Sequence, residues 1–180
     1  MNFTEDWFTH NIPNFEKCMA ALDKRELFLE IGSYEGRATC WLLEHGLSDD
    51  GQITCIDPHL YMQEICERFK ANVHEVKKPT QYFEYLQNTS YDAMAWLIDD
   101  SVNEVDVFDF IYIDGVHSPD GALTDACMAW GLLRKGGVML FDDYLYPHEP
   151  TKVGIDAFLA GFAGHYNIIV NNYQLAVKKK

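Results

Sequence analysis

Five acids, a histidine and two glycines mark the places where this 180-residue chain could do chemistry. The first group is Glu30-Ile31-Gly32-Ser33-Tyr34-Glu35-Gly36. Paired glycines let a backbone turn tightly and approach a ligand closely, and a helix N-terminus just behind them offers free amides. A pyrophosphate would favour three glycines at dinucleotide spacing. Here there are two, with Glu30 in front. A carboxylate there repels a phosphate and accepts from an ammonium group, which favours a zwitterionic nucleoside over a dinucleotide. An ordinary glycine turn is the alternative. The second group is Asp57-Pro58-His59. An acid about 20 residues past a glycine loop suits the two hydroxyls of a ribose, and a helix-capping aspartate is its alternative.

The third group is Asp114-Gly115-Val116-His117-Ser118, and the fourth is Asp142-Asp143-Tyr144. Three carboxylates on one edge repel each other unless a proton or cation neutralises them. Oxygen-rich sites suit Mg²⁺, with Mn²⁺ or Ca²⁺ as substitutes. One of the adjacent pair is expected to be structural. His117, three residues after Asp114, has the right chemistry for a general base; a hydrogen-bonding surface histidine is the alternative.

Something must hold these groups together, and the pattern between them alternates strand and helix. Short apolar runs predict strands over 26–31, 52–56, 82–86, 107–113, 138–141, 167–170 and 173–177. Helical spacing falls between them, over 14–22, 38–44, 61–71, 91–98, 121–133 and 153–162. Lys135-Gly136-Gly137 reads as the close of the fifth helix. The run VFDFIYI is so apolar that its strand should be central. Such alternation predicts a single-domain α/β fold: a doubly wound, mostly parallel seven-stranded sheet. The last two strands have no helix between them, which predicts one antiparallel C-terminal strand. Ligands of such sheets bind beyond the carboxyl ends of the strands, where all four groups fall.

The whole chain, 1–180, reads as one domain, with a helical segment over 1–24 packing on or near the active site. The net charge of −14 argues against nucleic acid and anionic membranes as partners. The start, MNFTEDWFTH, carries acids where a secretory leader has a basic flank, so a cytoplasmic protein is expected. Five cysteines with no Cys-x-x-Cys pair argue against a disulfide scaffold and a zinc knuckle. Their apolar neighbours predict buried, reduced thiols.

Taken in order, FLEIGSYEGRATCWLL, CIDPH and FDFIYIDGVHSPDGALTDACMAWGLLRKGGVMLFDDY resemble class I S-adenosylmethionine-dependent methyltransferases. More narrowly, they are similar to small-molecule O-methyltransferases with an Ile-Asp-Gly-x-His-Ser motif, related to the macrocin- and aminocoumarin-sugar enzymes. The resemblance spans about residues 26 to 145. It implies S-adenosylmethionine as cofactor, with Mg²⁺ as an optional second, and a small hydroxylated acceptor. It implies that Glu30, Gly32, Ser33, Tyr34 and Gly36 cradle the methionine part. Asp57 and Pro58 would meet the ribose, and Ser90 would border the adenine. Asp114 would lie beside the cofactor and, with Asp142 and Asp143, match the metal acids. His117 would match a base, with Asp114 as its catalytic partner.

Many members carry a second acid two residues after the first, where this chain has Val116; that departure moves the base to His117. The resemblance also touches cephalosporin hydroxylase-like sequences, so a metal-dependent hydroxylase on the same fold is an alternative. A cofactor-binding module without chemistry is another.

Overall fold

Six consecutive residues, Phe108 to Ile113, are buried on both faces. They form the centre of the sheet in the computed structural model, which describes residues 1–100, 107–148 and 150–180. The strands are β1 (Leu27–Ile31), β2 (Gln52–Ile56), β3 (Tyr82–Leu86), β4 (Phe108–Ile113), β5 (Leu133–Phe141), β6 (Tyr166–Asn171) and β7 (Leu175–Lys179). The helices are α1 (Ile12–Ala21), α2 (Arg37–Trp41), α3 (Gln63–Val76), α4 (Ser90–Asp100), α5 (Pro119–Leu132) and α6 (Thr151–Gly161).

The sheet order is β3-β2-β1-β4-β5-β7-β6. The β1–β2, β1–β4, β2–β3 and β4–β5 pairs are parallel. β7 runs antiparallel to β5 and β6, as the closing strand pair predicts. Strand order reverses between β1 and β4, the switch point where open α/β sheets bind ligands.

Alternation along the strands builds two cores. Leu29, Ile111, Met139 and Phe141 face Met94, Ala126, Trp130 and Phe158 from α4, α5 and α6. Phe28, Phe110, Val138 and Leu140 face Phe15, Leu42 and Phe69 from the other side. Helix α5 starts where its sequence says it should. Ser118 caps it, its hydroxyl accepting from the Gly121 amide at 3.2 Å, and Pro119 occupies the first turn.

Three local expectations change. Lys135-Gly136-Gly137 does not close α5: the helix ends at Leu132, and these residues lie inside β5, within the register shift between Leu133, paired with Phe108, and Val138, paired with Phe110. A bulge tolerates a glycine with φ of 77° such as Gly136. Helix α2 continues as a π-helical turn, Leu42–Gly46. Cys127 is exposed, while Cys18, Cys40, Cys55 and Cys66 are buried and free.

The strand ends form a continuous ladder. The Gly32 amide donates to Ile56 O at 2.8 Å, Asp114 to Ile31 O at 2.8 Å, and Asp142 to Ile113 O at 2.9 Å. One step past β1, β4 and β5, backbone hydrogen bonds thus set the first glycine and two of the acids side by side. Among the described residues, no helix is long and apolar enough to cross a membrane.

Candidate functional site

The glycine loop is closed by its neighbours. At Gly32, φ is 84°, and a Cβ would lie 1.9 Å from the Asp114 carbonyl oxygen. At Gly36, φ is 80°, and a Cβ would lie 2.7 Å from the Phe69 ring. Both glycines are therefore required by packing and by left-handed backbone. The loop rests directly on the start of the Asp114–Ser118 segment.

Glu30 points under this loop, with no solvent exposure. One oxygen, Oε2, accepts from Ser33 Oγ at 3.1 Å, from Cys55 Sγ at 3.3 Å and from Thr39 Oγ1. The other, Oε1, has no partner. Burial pushes the carboxyl up to about 7, against the pull of those donors. The acid read as an ammonium acceptor lies beneath the loop, not in the open cleft.

Asp57 ties the loop to β2. Its Oδ2 accepts from the Ser33 and Tyr34 amides, both at 2.9 Å, and its Oδ1 from the His59 amide at 2.8 Å. A carboxylate has about four lone-pair sites, so about one is left open. Pro58 lies between Asp57 and His59. Ser90 begins α4 and touches Asp125, a buried carboxyl raised by burial.

Past β4 and β5 the acids divide. Asp142 is buried and turned inward. Its Oδ2 accepts from Asn11 Nδ2 at 3.3 Å and from the Tyr112 hydroxyl, and its Oδ1 from the Asp143 amide at 2.8 Å. Burial and the nearby Asp114 push it up to about 7. Burial raises Asp114 too, with Asp143 adding to the rise and His117 opposing it. The Tyr112 hydroxyl also lies 3.1 Å from Asp114 Oδ2. It carries one proton for two carboxylates, so a second proton or a cation is needed between them.

His117 Nε2 lies 3.5 Å from Asp114 Oδ1 and 3.4 Å from Asp143 Oδ2. Among the described residues, Asp114, His117 and Asp143 form the group with ligand atoms within 4.8 Å of one another. Their mixed oxygen and nitrogen donors suit a divalent cation. The metal acids read from the sequence were Asp114, Asp142 and Asp143; geometry brings His117 into the group and leaves Asp142 behind it.

The N-terminal segment crosses the loop. Thr4 donates to the buried Glu35 from its amide at 2.6 Å and from its hydroxyl at 2.6 Å, and Arg68 pairs with the same carboxylate. Trp7 stacks on Tyr34 with centroids 5.2 Å apart. His10 meets Tyr173 edge-on at 5.4 Å, and the Tyr173 hydroxyl donates to Asp143.

Sequence reading missed Asn11, Tyr112, Tyr173 and Glu35. Tyr112 had a signal: a hydroxyl in an apolar strand, two residues before Asp114 and so on its face. Asn11 lies in the N-terminal segment expected near the site, but its partner Asp142 is 131 residues away in the chain, and Tyr173 reaches Asp143 from 30 residues away with no local signal.

A sheet ordered 3-2-1-4-5-7-6, with carboxylates and a glycine loop at its switch point, defines an α/β nucleoside-cofactor enzyme fold of the class I methyltransferase type. A family model described as a methyltransferase domain matches residues 29–144. The chain belongs to this family, within the class I S-adenosylmethionine-dependent methyltransferases.

Solved structures share the fold. An O-methyltransferase from Bacillus cereus, in complex with S-adenosylhomocysteine (SAH), superposes with a TM-score of 0.72 at 19% identity, over 99% of this chain and 84% of that one. TomG from Streptomyces achromogenes, an O-methyltransferase involved in tomaymycin synthesis and bound to S-adenosylmethionine, gives 0.67 at 20% identity, over 93% and 80%. An rRNA methylase from Streptococcus thermophilus gives 0.66 at 12% identity, over 99% of each chain. An uncharacterized protein, R132, of Acanthamoeba polyphaga mimivirus is 26% identical over 118 residues, which are 65% of this chain. The match spans about half, 51%, of that protein's length.

Proposed function

We propose that this chain methylates a hydroxyl group of a small molecule, using S-adenosylmethionine and a divalent cation such as Mg²⁺. The observation that carries the cofactor reading is Asp57, held against the glycine-loop amides with about one lone pair unused. The Asp57 carboxylate beside the loop disfavours a phosphorylated ligand and fits an uncharged ribose. The net charge of −14 favours a small acceptor over the rRNA acted on by some proteins of this fold.

S-adenosylmethionine, when bound, supplies a methyl group on a sulfonium. The chain does the rest. The loop from Gly32 to Gly36 offers backbone to the methionine part, with Tyr34 at its rim. Asp57 accepts a ribose hydroxyl, and Pro58 and Ser90 flank the nucleoside. Asp114, His117 and Asp143 would hold a cation, which would lower the pKa of an acceptor hydroxyl. A coordinated nitrogen has no lone pair for a proton, so His117 Nε2 would take the hydroxyl proton only with the cation held by the Asp114 and Asp143 carboxylates alone. Trp7, packed on Tyr34, and the Thr4–Glu35 contacts would place the N-terminal segment as a wall of the acceptor side. Much of the rate would come from orientation, worth several kcal/mol in well-aligned systems.

Calorimetry with SAH tests the cofactor. Binding is expected, and its absence in the intact protein would overturn the reading. Asp57→Ala should weaken SAH about tenfold or more, the worth of a hydrogen bond to a charged group. Titration with Mn²⁺ tests the metal: binding should disappear in Asp143→Ala. Unchanged Mn²⁺ affinity there, together with methyl transfer that survives EDTA, would make the acid group structural.

A further inference from the structure

The Asp57-Pro58-His59 turn contains a histidine to which the cofactor reading gives no role. His59 is 4% exposed and has φ of 42°, left-handed for a side-chain-bearing residue. What holds it there is a closed circuit. Its amide donates to Asp57 Oδ1 at 2.8 Å. Its ring nitrogen Nε2 lies 2.6 Å from the Tyr34 carbonyl oxygen. A carbonyl only accepts, so Nε2 carries a proton and donates it. The other ring nitrogen, Nδ1, meets the Tyr85 hydroxyl, whose single proton lies between that nitrogen and the Asp57 carbonyl oxygen, 3.0 Å from the hydroxyl. Asp57 in turn accepts the Ser33 and Tyr34 amides. The imidazole packs against Phe69, with centroids 5.5 Å apart. The same Phe69 ring leaves no room for a side chain at Gly36.

We propose that His59 is a positioning residue for the cofactor: it latches the glycine loop to Asp57. The ring seizes the loop at the Tyr34 carbonyl, and the amide seizes the acid. Asp57 closes the circuit through two loop amides, so neither partner shifts without breaking a bond to the other. The arrangement fixes the Asp57 lone pair that remains free relative to the loop backbone. A ligand that touches both, as a nucleoside joined to an amino acid does, then meets a preorganised pair. The latch rests on the proposed cofactor role of Asp57.

The test uses the full chain, His59→Phe, and calorimetry with SAH. Phenylalanine keeps the ring packing and removes both ring hydrogen bonds. SAH should bind about tenfold more weakly. In the ligand-free protein, hydrogen exchange at the Ser33 and Tyr34 amides should speed up, while β4 amides should not change. Asp57→Asn should weaken SAH by itself, and His59→Phe should add little on top of it, because both act through one circuit. If His59→Phe fails to fold, Tyr85→Phe removes the hydroxyl bridge without touching the strained backbone and should move the same readouts in the same direction. Wild-type affinity and wild-type loop exchange in a folded variant, or full additivity with Asp57→Asn, would overturn the latch. Failure of the wild-type protein to bind SAH would overturn the cofactor reading instead. The exchange rates at Ser33 and Tyr34 would still decide whether His59 holds the loop.

Discussion

Replacing Glu30 with glutamine should remove most of one pH-dependent slope in stability. The carboxyl is completely buried at the end of β1, with Oε2 accepting three hydrogen bonds and Oε1 none. Burial raises its folded-state value from 4.5 to about 7. An unfolded chain releases this proton near the ordinary value. Below about pH 4.5 both states hold the proton, and the stabilisation is present in full. Between the two values the folded state holds a proton that the unfolded state has lost, so stability falls as pH rises. Above about pH 7 the loss is complete. At about 1.4 kcal/mol for each pH unit, the loss amounts to about 3 kcal/mol.

Urea unfolding of the wild type and Glu30→Gln, each at a series of pH values from about 4 to 8, isolates this residue. Every other titration cancels in the difference between the two proteins. That difference should shift by about 3 kcal/mol against the wild type as pH rises, mostly between about pH 5 and 7. A flat difference would refute the reasoning. It would mean that Glu30 ionises in the fold at its ordinary value, with Oε1 solvated or paired.

Gly32→Ala should destabilise the fold by about 3 kcal/mol, combining left-handed backbone strain with overpacking against Asp114. Urea unfolding checks this, and a loss below about 1 kcal/mol would show that the loop has room to move. Arg134 pairs with Asp109, whose side chain is 4% exposed and also accepts the Glu26 and Leu27 amides at 2.7 and 2.9 Å. Arg134→Ala leaves that carboxylate with only the amides. The cost should be about 2 kcal/mol, a melting temperature lower by roughly 6 °C by calorimetry; an unchanged melting point would show that the amides suffice.

Local pattern carried most of the architecture. Alternating apolar residues mark a strand wherever it lies in the chain, and seven such runs with helical spacing between them leave few sheet topologies. The parallel sheet then places whatever follows each strand at one edge, so Gly32, Asp57, Asp114 and Asp142 were readable as neighbours before any coordinates. Boundaries were less legible. Lys135-Gly136-Gly137 has the composition of a helix stop, yet it lies inside β5, as a bulge between Leu133, which pairs with Phe108, and Val138, which pairs with Phe110.

The acids themselves, their order and their place at the strand ends follow from the sequence alone. Which way each carboxylate faces does not, because that depends on groups brought from elsewhere in the chain. Asp142 turns inward because Asn11 and Tyr112 meet it there. Asp143 joins His117 and Asp114 instead. Glu30 is sealed off because Thr39 and Ser33 fold over it. A burial cost or a hydrogen bond belongs to a pair of atoms in space, and only the tertiary structure decides which atoms become a pair.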